Sequence, residues 1–234
     1  MINLSKRLKD LSELCTDCDV LLDIGCDHAL IPISLLEKNL ISLAVASDIN
    51  RGPINAAMKN AREAGVFDRM RFIAADGLKG IDMAGPDFEE KKSLLLISGM
   101  GGPLIEKIMT EGKDKAVKIG SFVFSPHSKV SGFRRFLGKS GFSIRDEKLT
   151  FDDGKYYFLI SCKNGPDMCK SELDYELGPF FFRDKYDEKR NYLLHRLAVF
   201  DGLVRNDAIK GEKRDLLEKK RILYEKAVDL YEMQ

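Results

Sequence analysis

Carboxylates and glycines follow three short apolar runs, and residues of these types could bind a nucleoside. The three runs end in Asp23-Ile24-Gly25-Cys26-Asp27-His28, Asp48-Ile49-Asn50 and Asp76-Gly77-Leu78. A glycine lets the backbone approach a ligand closely, and a following helix offers free N–H groups. A carboxylate after the second strand can accept hydrogen bonds from both hydroxyls of a ribose. The acid and the backbone after the third run could read an adenine edge.

The first turn discriminates between nucleoside cofactors. Dinucleotide sites use G-x-G-x-x-G, because a pyrophosphate lies on the helix N-terminus, whereas here Gly25 is followed by C-D-H-A-L. Asp27 would repel a pyrophosphate and attract an ammonium group. S-adenosylmethionine carries an ammonium, a ribose diol and an adenine but no phosphate. The sequence therefore predicts that it is bound by Asp23, Gly25, Cys26, Asp27, His28, Asp48, Ile49, Asn50, Asp76, Gly77, Leu78, Ser98 and Gly99. Any one of these acids could instead be a solvated helix cap with no role in cofactor binding, but the presence of acids after three successive strands disfavours that interpretation.

Apolar runs alternate with helix-period segments over the first two thirds of the chain. The strand candidates are residues 20–25, 43–49, 71–76, 93–99 and 121–126, and most are continuously apolar, as in strands that helices cover on both faces. A hairpin follows, since two strand-like runs within 142–163 are joined by Asp152-Asp153-Gly154. These patterns predict an α/β fold, a Rossmann-like doubly wound sheet that is mostly parallel and ends in an antiparallel hairpin.

A change of pattern near Asn164-Gly165-Pro166 predicts two domains, residues 1–165 and 166–234. The second has no strand–helix alternation, and its apolar residues recur at coiled-coil spacing in two segments. We therefore expect an antiparallel helical coiled-coil hairpin. Its predicted seam consists of Tyr186, Leu193, Leu197, Phe200 and Val204 in the first helix, and of Leu216, Leu223, Ala227 and Leu230 in the second.

Composition excludes several classes of protein. Lys+Arg 38 against Asp+Glu 37 gives a net charge of +1, so no global basic field indicates a nucleic-acid partner, although a local patch can still supply one. No apolar run is long enough to span a bilayer, and no secretory h-region is present, so we expect no membrane association and a cytoplasmic location. The five scattered cysteines and three histidines lack the spacing of a metal site, and we expect no metal.

Motifs along nearly the whole chain resemble one family. They are an N-terminal L-x-x-L with Arg7, D-I-G-C-D-H-A-L-I-P at 23–32, A-S-D-I-N-R-G-P at 46–53, D-G-L at 76–78, I-S-G-M-G-G at 97–102 and G-K-Y-Y at 154–157. Together they resemble the TrmK family of bacterial tRNA (adenine(22)-N1)-methyltransferases, within the class I S-adenosylmethionine-dependent enzymes. Ser98 departs from the family pattern, in which a cysteine precedes G-M-G-G. The resemblance implies S-adenosyl-L-methionine as cofactor and N1 of adenine 22, on the D-arm side of tRNA, as target.

The loop after the fourth strand is consistent with a ring nitrogen as target. Class I enzymes that methylate amino groups carry Asn/Asp-Pro-Pro-aromatic there, whereas this chain has Ser98-Gly99-Met100-Gly101-Gly102. This loop has no side-chain acceptor for an amino group and no aromatic ring, and Met100 offers an adaptable apolar wall. The candidate catalytic residues are Asp27, His28, Gly99, Met100 and Gly101, and no general base is identified.

A local basic excess offers a surface for tRNA. Residues 107–139 contain eight lysines and arginines against Glu111 and Asp114, so the local excess is +6. The predicted RNA-binding residues are Arg7, Lys107, Lys129, Arg134, Arg135 and Lys139; a solvated helix face is the alternative. We expect a monomer rather than a dimer. The other functions considered are methylation of another RNA or of a small molecule, a catalytically silent RNA-binding module and, least compatible with the first turn, an NAD(P) oxidoreductase.

Overall fold

The computed structural model describes residues 2–83, 88 and 92–233. Contacts divide the chain into two compact units, residues 1–168 and 169–234. The boundary lies three residues after the predicted one, since Pro166, Asp167 and Met168 belong with the first unit.

The first unit is built on one seven-stranded sheet of order β3-β2-β1-β4-β5-β7-β6. Its strands are β1 (Val20–Ile24), β2 (Leu43–Asp48), β3 (Met70–Ala74), β4 (Ser93–Ser98), β5 (Ser121–Ser125), β6 (Phe142–Asp152) and β7 (Lys155–Asn164). Strands β1 to β5 are parallel, and the β6–β7 hairpin pairs antiparallel with β5 through β7. The predicted doubly wound, mostly parallel sheet with an antiparallel end is confirmed.

Burial explains why these segments form strands. Every residue of β1 and β5 is buried, as are the first five of β2 and of β4, whereas β3 at the sheet edge is half exposed. Continuous burial requires cover on both faces of the sheet. The helices of this unit are α1 (Lys6–Leu14), α2 (Leu30–Glu37), α3 (Arg51–Glu63), α4 (Gly102–Glu111), α5 (Lys113–Ala116) and α6 (Val130–Lys139).

The second unit contains three helices, α7 (Glu172–Leu177), α8 (Asp187–Val204) and α9 (Glu212–Met233), with α8 packed against α9. The predicted helical hairpin is confirmed, and Ala227 of the predicted seam is buried, but the predicted seam is wrong at Leu216 and Leu230. Leu216 and Leu230 are 58% and 36% exposed, whereas Tyr224 and Tyr231 are buried. The tyrosines can face inward because their hydroxyls find partners: Tyr224 donates to Glu176 at 2.9 Å and Tyr231 donates to the carbonyl of Tyr186 at 3.0 Å.

Candidate active site

Strands β1, β2 and β4 end side by side at the centre of the sheet. Ile24 is in register with Ser47 of β2 and with Ile97 of β4, so Gly25, Asp48 and Ser98 follow at the same level. Strand β1 lies between β2 and β4, so the strands that follow β1 in the sequence continue first on its β2 side and then, from β4 onward, on its other side. This reversal of strand order is where open parallel sheets bind ligands.

The loop from β1 to α2 turns sharply and is held against β2. Gly25, Asp27 and Ala29 all have positive φ, of 72°, 49° and 53°. The N–H groups of Gly25 and Cys26 both donate to the carbonyl of Ser47, at 2.8 and 3.0 Å, and hold the loop against β2. A Cβ at position 25 would overlap the methyl group of Met100, and the positive φ of Gly25 also favours glycine there.

A cavity of about 380 Å³ opens between these strand ends, and we call it the acidic cavity. It is lined by Arg7, Leu8, Asp23, Gly25, Cys26, Asp27, His28, Leu30, Ile31, Asp48, Ser98, Gly99 and Met100. Three carboxylates thus share one cavity, together with the glycine loop that follows β4.

The carboxylates of the acidic cavity lack a strong cationic partner within the described residues. Asp48 accepts the backbone N–H of Asn50 at 2.8 Å, and Asp27 lies 3.5 Å from His28. Asp23 is 6% exposed, and its burial, with the negative charges of Asp27 and Asp48, raises its pKa to about 7. A cationic ligand would relieve this concentration of negative charge.

These features fit S-adenosylmethionine. Its ammonium and sulfonium charges suit Asp23 and Asp27, and its ribose hydroxyls suit the carboxylate of Asp48. In the first turn, Asp27 lies where a dinucleotide would place its pyrophosphate, and its carboxylate would repel that group. The residues present therefore fit this group and disfavour a dinucleotide.

The loop after β4 is rigidly placed. Gly99 has φ of 78°, and a Cβ on Gly102 would lie 2.8 Å from the carbonyl oxygen of Ser128. Among the predicted catalytic residues, Asp27, His28, Gly99 and Met100 line the acidic cavity. Gly101 does not line it; it packs beside the Ser128 hydroxyl and precedes α4. The glycines bring the β4 and β5 loops together, and Met100 alone of this loop offers a long side chain to the cavity.

The predicted residues after β3 line a separate, much smaller cleft of about 20 Å³, together with residues of α4. Asp76 lies 3.2 Å from Lys79, which also lies 2.7 Å from Glu111. Gly77 has φ of 60° and Leu78 is buried. Ile49 and Asn50 are exposed and lie outside the residues that line the acidic cavity. The roles of these five residues in cofactor binding stay predictions.

The sequence analysis did not predict that Arg7, His127 and Tyr157 meet beside the acidic cavity. Arg7, predicted as an RNA contact, lines the acidic cavity. Its Nη1 lies 2.9 Å from Nε2 of His127, and its guanidinium lies 4.8 Å from the ring centroid of Tyr157. Arg7 and Tyr157 belong to motifs that carried the family resemblance, but sequence spacing does not show that residues so far apart in the chain meet. His127 had no signal beyond its place after the fifth strand.

One predicted RNA contact is wrong. Arg134 is fully buried, its Nε lies 2.8 Å from Oε1 of Glu147, and its guanidinium lies over the ring of Phe158. It falls on the inner face of α6, beside Phe133 and Leu137, and a charge held there is not available to a phosphate. Lys107, Lys129 and Lys139 are exposed and Arg135 is half-buried, so their role stays a prediction.

The described residues contain neither a group of side chains that could hold a metal ion nor a helix that could span a membrane. Across residues 2–83, 88 and 92–233, no three histidine, cysteine or acidic side chains are grouped in a way that could hold a metal ion. No helix in the same ranges is long and apolar enough to cross a membrane.

Comparison with known proteins gives one consistent family. A methyltransferase domain model matches residues 4–160. The tRNA (adenine(22)-N(1))-methyltransferase of Bacillus subtilis is 29% identical over 189 residues, which are 79% of this chain and 77% of that one. Sp1610 of Streptococcus pneumoniae, solved in complex with S-adenosyl-L-methionine, has a TM-score of 0.86 at 26% identity and covers 97% of this chain and 100% of its own.

A second solved structure agrees. TrmK of M. capricolum, in complex with S-adenosyl-homocysteine, has a TM-score of 0.83 at 25% identity and covers 97% of this chain and 99% of its own. Similarity therefore extends through both compact units. With the strand order and the acidic cavity, these matches show that the chain belongs to the methyltransferase domain family, as a member of its TrmK group of class I S-adenosylmethionine-dependent enzymes.

Proposed function

We propose that this protein transfers the methyl group of S-adenosyl-L-methionine to N1 of adenine 22 in tRNA. The Bacillus subtilis relative carries this activity in its name, and the two solved relatives hold the cofactor or its demethylated product. The observation that carries the proposal is that Asp23, Asp27 and Asp48 share one cavity with the glycine loop after β4.

The reaction needs little from the protein beyond alignment. The cofactor, when bound, supplies an electrophilic methyl group on a sulfonium. Adenine N1 has a lone pair at neutral pH, so the N1–C bond can form while the C–S bond breaks, without prior removal of a proton. The task of the chain is then to hold the ring nitrogen in line and to exclude water.

The loop of residues 98–102 supports a ring nitrogen as target. The side-chain methyl group of Met100 packs against Gly25 of the β1 loop, and Met100 gives the cavity an apolar wall. No amide or carboxylate side chain of this loop is available to accept from an exocyclic amino group. Since N1 lies on the Watson–Crick edge, adenine 22 must be unpaired or turned out of its helix before it reacts.

Exposed lysines support contact with tRNA. Lys107, Lys129 and Lys139 extend from the first unit into solvent and, with half-buried Arg135, are candidates for phosphate contacts. A tRNA substrate favours a cytoplasmic location, and we propose that the protein acts as a monomer.

The decisive experiment is mass spectrometry of tRNA after incubation with the protein and cofactor. Digestion should yield one fragment heavier by one methyl group, and that fragment should contain adenine 22. A tRNA with guanine at position 22 should gain nothing, and Asp48→Ala should methylate far more slowly than wild type at a cofactor concentration near the wild-type Kd. Methylation at another position, or of both tRNAs, would contradict the proposed target.

A further inference from the structure

One wall of the acidic cavity is positively charged, in contrast to the rest. Arg7 of α1 lines this wall, and two contacts hold its guanidinium while a third holds its backbone. Its Nη1 lies 2.9 Å from Nε2 of His127, its guanidinium lies over the ring of Tyr157, and its backbone N–H donates to Asp152 at 3.1 Å. A long side chain held on several sides is pre-organised for binding, because less rotamer freedom disappears when a ligand arrives.

His127 connects this arginine to the loop after β4. Its backbone N–H donates to the carbonyl of Met100 at 2.8 Å, and its ring lies 5.2 Å from that of Tyr157. Partial burial, with the positive charges of Arg7 and Lys155, lowers the pKa of His127. A neutral imidazole can accept the hydrogen bond from Arg7 at Nε2, and this leaves the proton on Nδ1.

The charges of the cavity divide it between two kinds of ligand. Asp23, Asp27 and Asp48 suit the cationic groups and hydroxyls of the cofactor, which an arginine would repel or leave unbound. Arg7 presents only donors, so it suits a ligand with anionic acceptor atoms. The RNA nucleotide carries these on its phosphates, and the cofactor carries them only on its carboxylate, so the affinity of Arg7→Ala for the cofactor distinguishes the two. Leu8 and Met100 add apolar walls to the same cavity, and such walls suit the face of a base.

We propose that Arg7, held by His127 and Tyr157, binds the tRNA nucleotide that receives the methyl group. His127 and Tyr157 are positioning residues, since they act through the guanidinium of Arg7. This inference rests on the proposed function and deepens it, because it assigns one side of the acidic cavity to the substrate and the other to the cofactor.

The first test separates substrate binding from cofactor binding. Steady-state methylation of tRNA is measured for wild type, Arg7→Lys, Arg7→Ala and the control Lys9→Ala, which removes a charge from the same helix. We expect Arg7→Ala to lower kcat/KM for tRNA about 10- to 100-fold, with partial activity in Arg7→Lys and little change in Lys9→Ala. The Kd of S-adenosylmethionine, measured by calorimetry, should stay within about threefold of wild type.

The second test concerns the positioning residues. His127→Gln keeps an acceptor but cannot be protonated near neutral pH, whereas His127→Ala removes the acceptor. We expect kcat/KM for tRNA to be retained in His127→Gln and in Tyr157→Phe, which keeps the ring, and to fall about tenfold in His127→Ala and Tyr157→Ala. The groups that face His127 are Arg7 of α1 and Lys155 and Tyr157 of β7. Below the ordinary imidazole range near about pH 6.5, wild type should lose activity that His127→Gln keeps.

The outcomes separate the two proposals. If Arg7→Ala weakens cofactor binding as much as it lowers kcat/KM, Arg7 belongs to the cofactor, by way of its carboxylate, and the inference is overturned. Equal losses in all the variants, His127→Gln included, would also overturn it, because they would indicate a general loss of structure. If wild type leaves adenine 22 unmodified, the proposed function fails. The inference about Arg7 can still be tested, because a comparison of the tRNA affinities of wild type and Arg7→Ala shows whether Arg7 binds RNA.

Discussion

Two buried charges beside the same sheet differ in what surrounds them. Arg134 of α6 is fully buried and lies 2.8 Å from the carboxylate of Glu147, with the ring of Phe158 beneath its guanidinium. Asp23 of β1 is 6% exposed and faces two further carboxylates. The charge of Arg134 is neutralised by Glu147 of the same protein, whereas a cationic ligand would neutralise the charge at Asp23. A buried charged residue thus indicates a binding site when no oppositely charged side chain of the protein is paired with it.

The largest effect should come from breaking the neutralised pair. Arg134→Ala leaves Glu147 buried without its guanidinium, and we expect the free energy of unfolding to fall by about 3–5 kcal/mol. Urea denaturation measures this directly. Lys139→Ala on the exposed side of the same helix is the matched control and should change stability by about 0.5 kcal/mol or less. A loss of tRNA affinity in Arg134→Ala without loss of stability would return this residue to the RNA-binding surface.

Asp23 should make the stability of the ligand-free protein fall as pH rises. Its pKa of about 7 in the folded state lies above the ordinary value near about 3.9, so the folded state binds the extra proton between these limits. Its contribution is therefore complete below about pH 4 and disappears as pH rises to about 7, on the order of 4 kcal/mol in total. Asp23→Asn cannot titrate at this position, so its unfolding free energy minus that of wild type should increase as pH rises from about 4 to about 7. Parallel pH profiles would show that Asp23 is not perturbed.

Two acids at neighbouring strand ends should differ in their effect on the cofactor. Asp48→Ala should weaken S-adenosylmethionine binding by about 2–4 kcal/mol, or roughly 30- to 1000-fold, because the ribose no longer has a charge-assisted hydrogen-bond acceptor. Asp76→Ala should cost less than about tenfold, since Lys79 already neutralises that carboxylate. Calorimetry on folded variants compares them. If Asp48→Ala and Asp76→Ala reduced the affinity for S-adenosylmethionine equally, the pairing of Asp76 with Lys79 would not explain a difference between the two acids.

The smallest of these effects concerns two exposed lysines and the half-buried Arg135 at and along α6. Replacing Lys129, Arg135 and Lys139 together by alanine should weaken tRNA binding at low salt and leave the Kd of S-adenosylmethionine unchanged. The slope of log affinity against log salt should flatten by about one unit for each phosphate that the protein no longer neutralises. An unchanged slope would identify this part of α6 as a solvated face.

Sequence patterns predict most of the fold but less of the site. Apolar runs identify all five parallel strands; burial on both faces leaves a continuous signal in β1, β2, β4 and β5, whereas β3 at the sheet edge is half exposed. The seam of the helical hairpin is wrong in α9, because Tyr224 and Tyr231 are amphipathic and their burial depends on distant hydroxyl partners. The burial of Arg134 depends in the same way on Glu147, 13 residues further along the chain.

The acidic cavity shows the same limit. Asp23, Gly25 and Asp48 can be identified because each follows an apolar run at a place where parallel sheets bind ligands. The contact between Arg7 and His127 cannot be identified in this way, because it joins residues 120 positions apart through the packing of α1. Local pattern shows where a strand ends, and only the folded chain shows which side chains meet there.

The central claim is that the cavity carboxylates hold the cofactor, and calorimetry in buffers of different ionisation enthalpy tests it most directly. At pH 7 the carboxyl of Asp23 is about half protonated, so binding of the cationic cofactor should release about half a proton per molecule bound. Asp23→Asn should release none. A binding heat independent of the buffer in wild type, together with an unchanged Kd in Asp48→Ala, would contradict the claim.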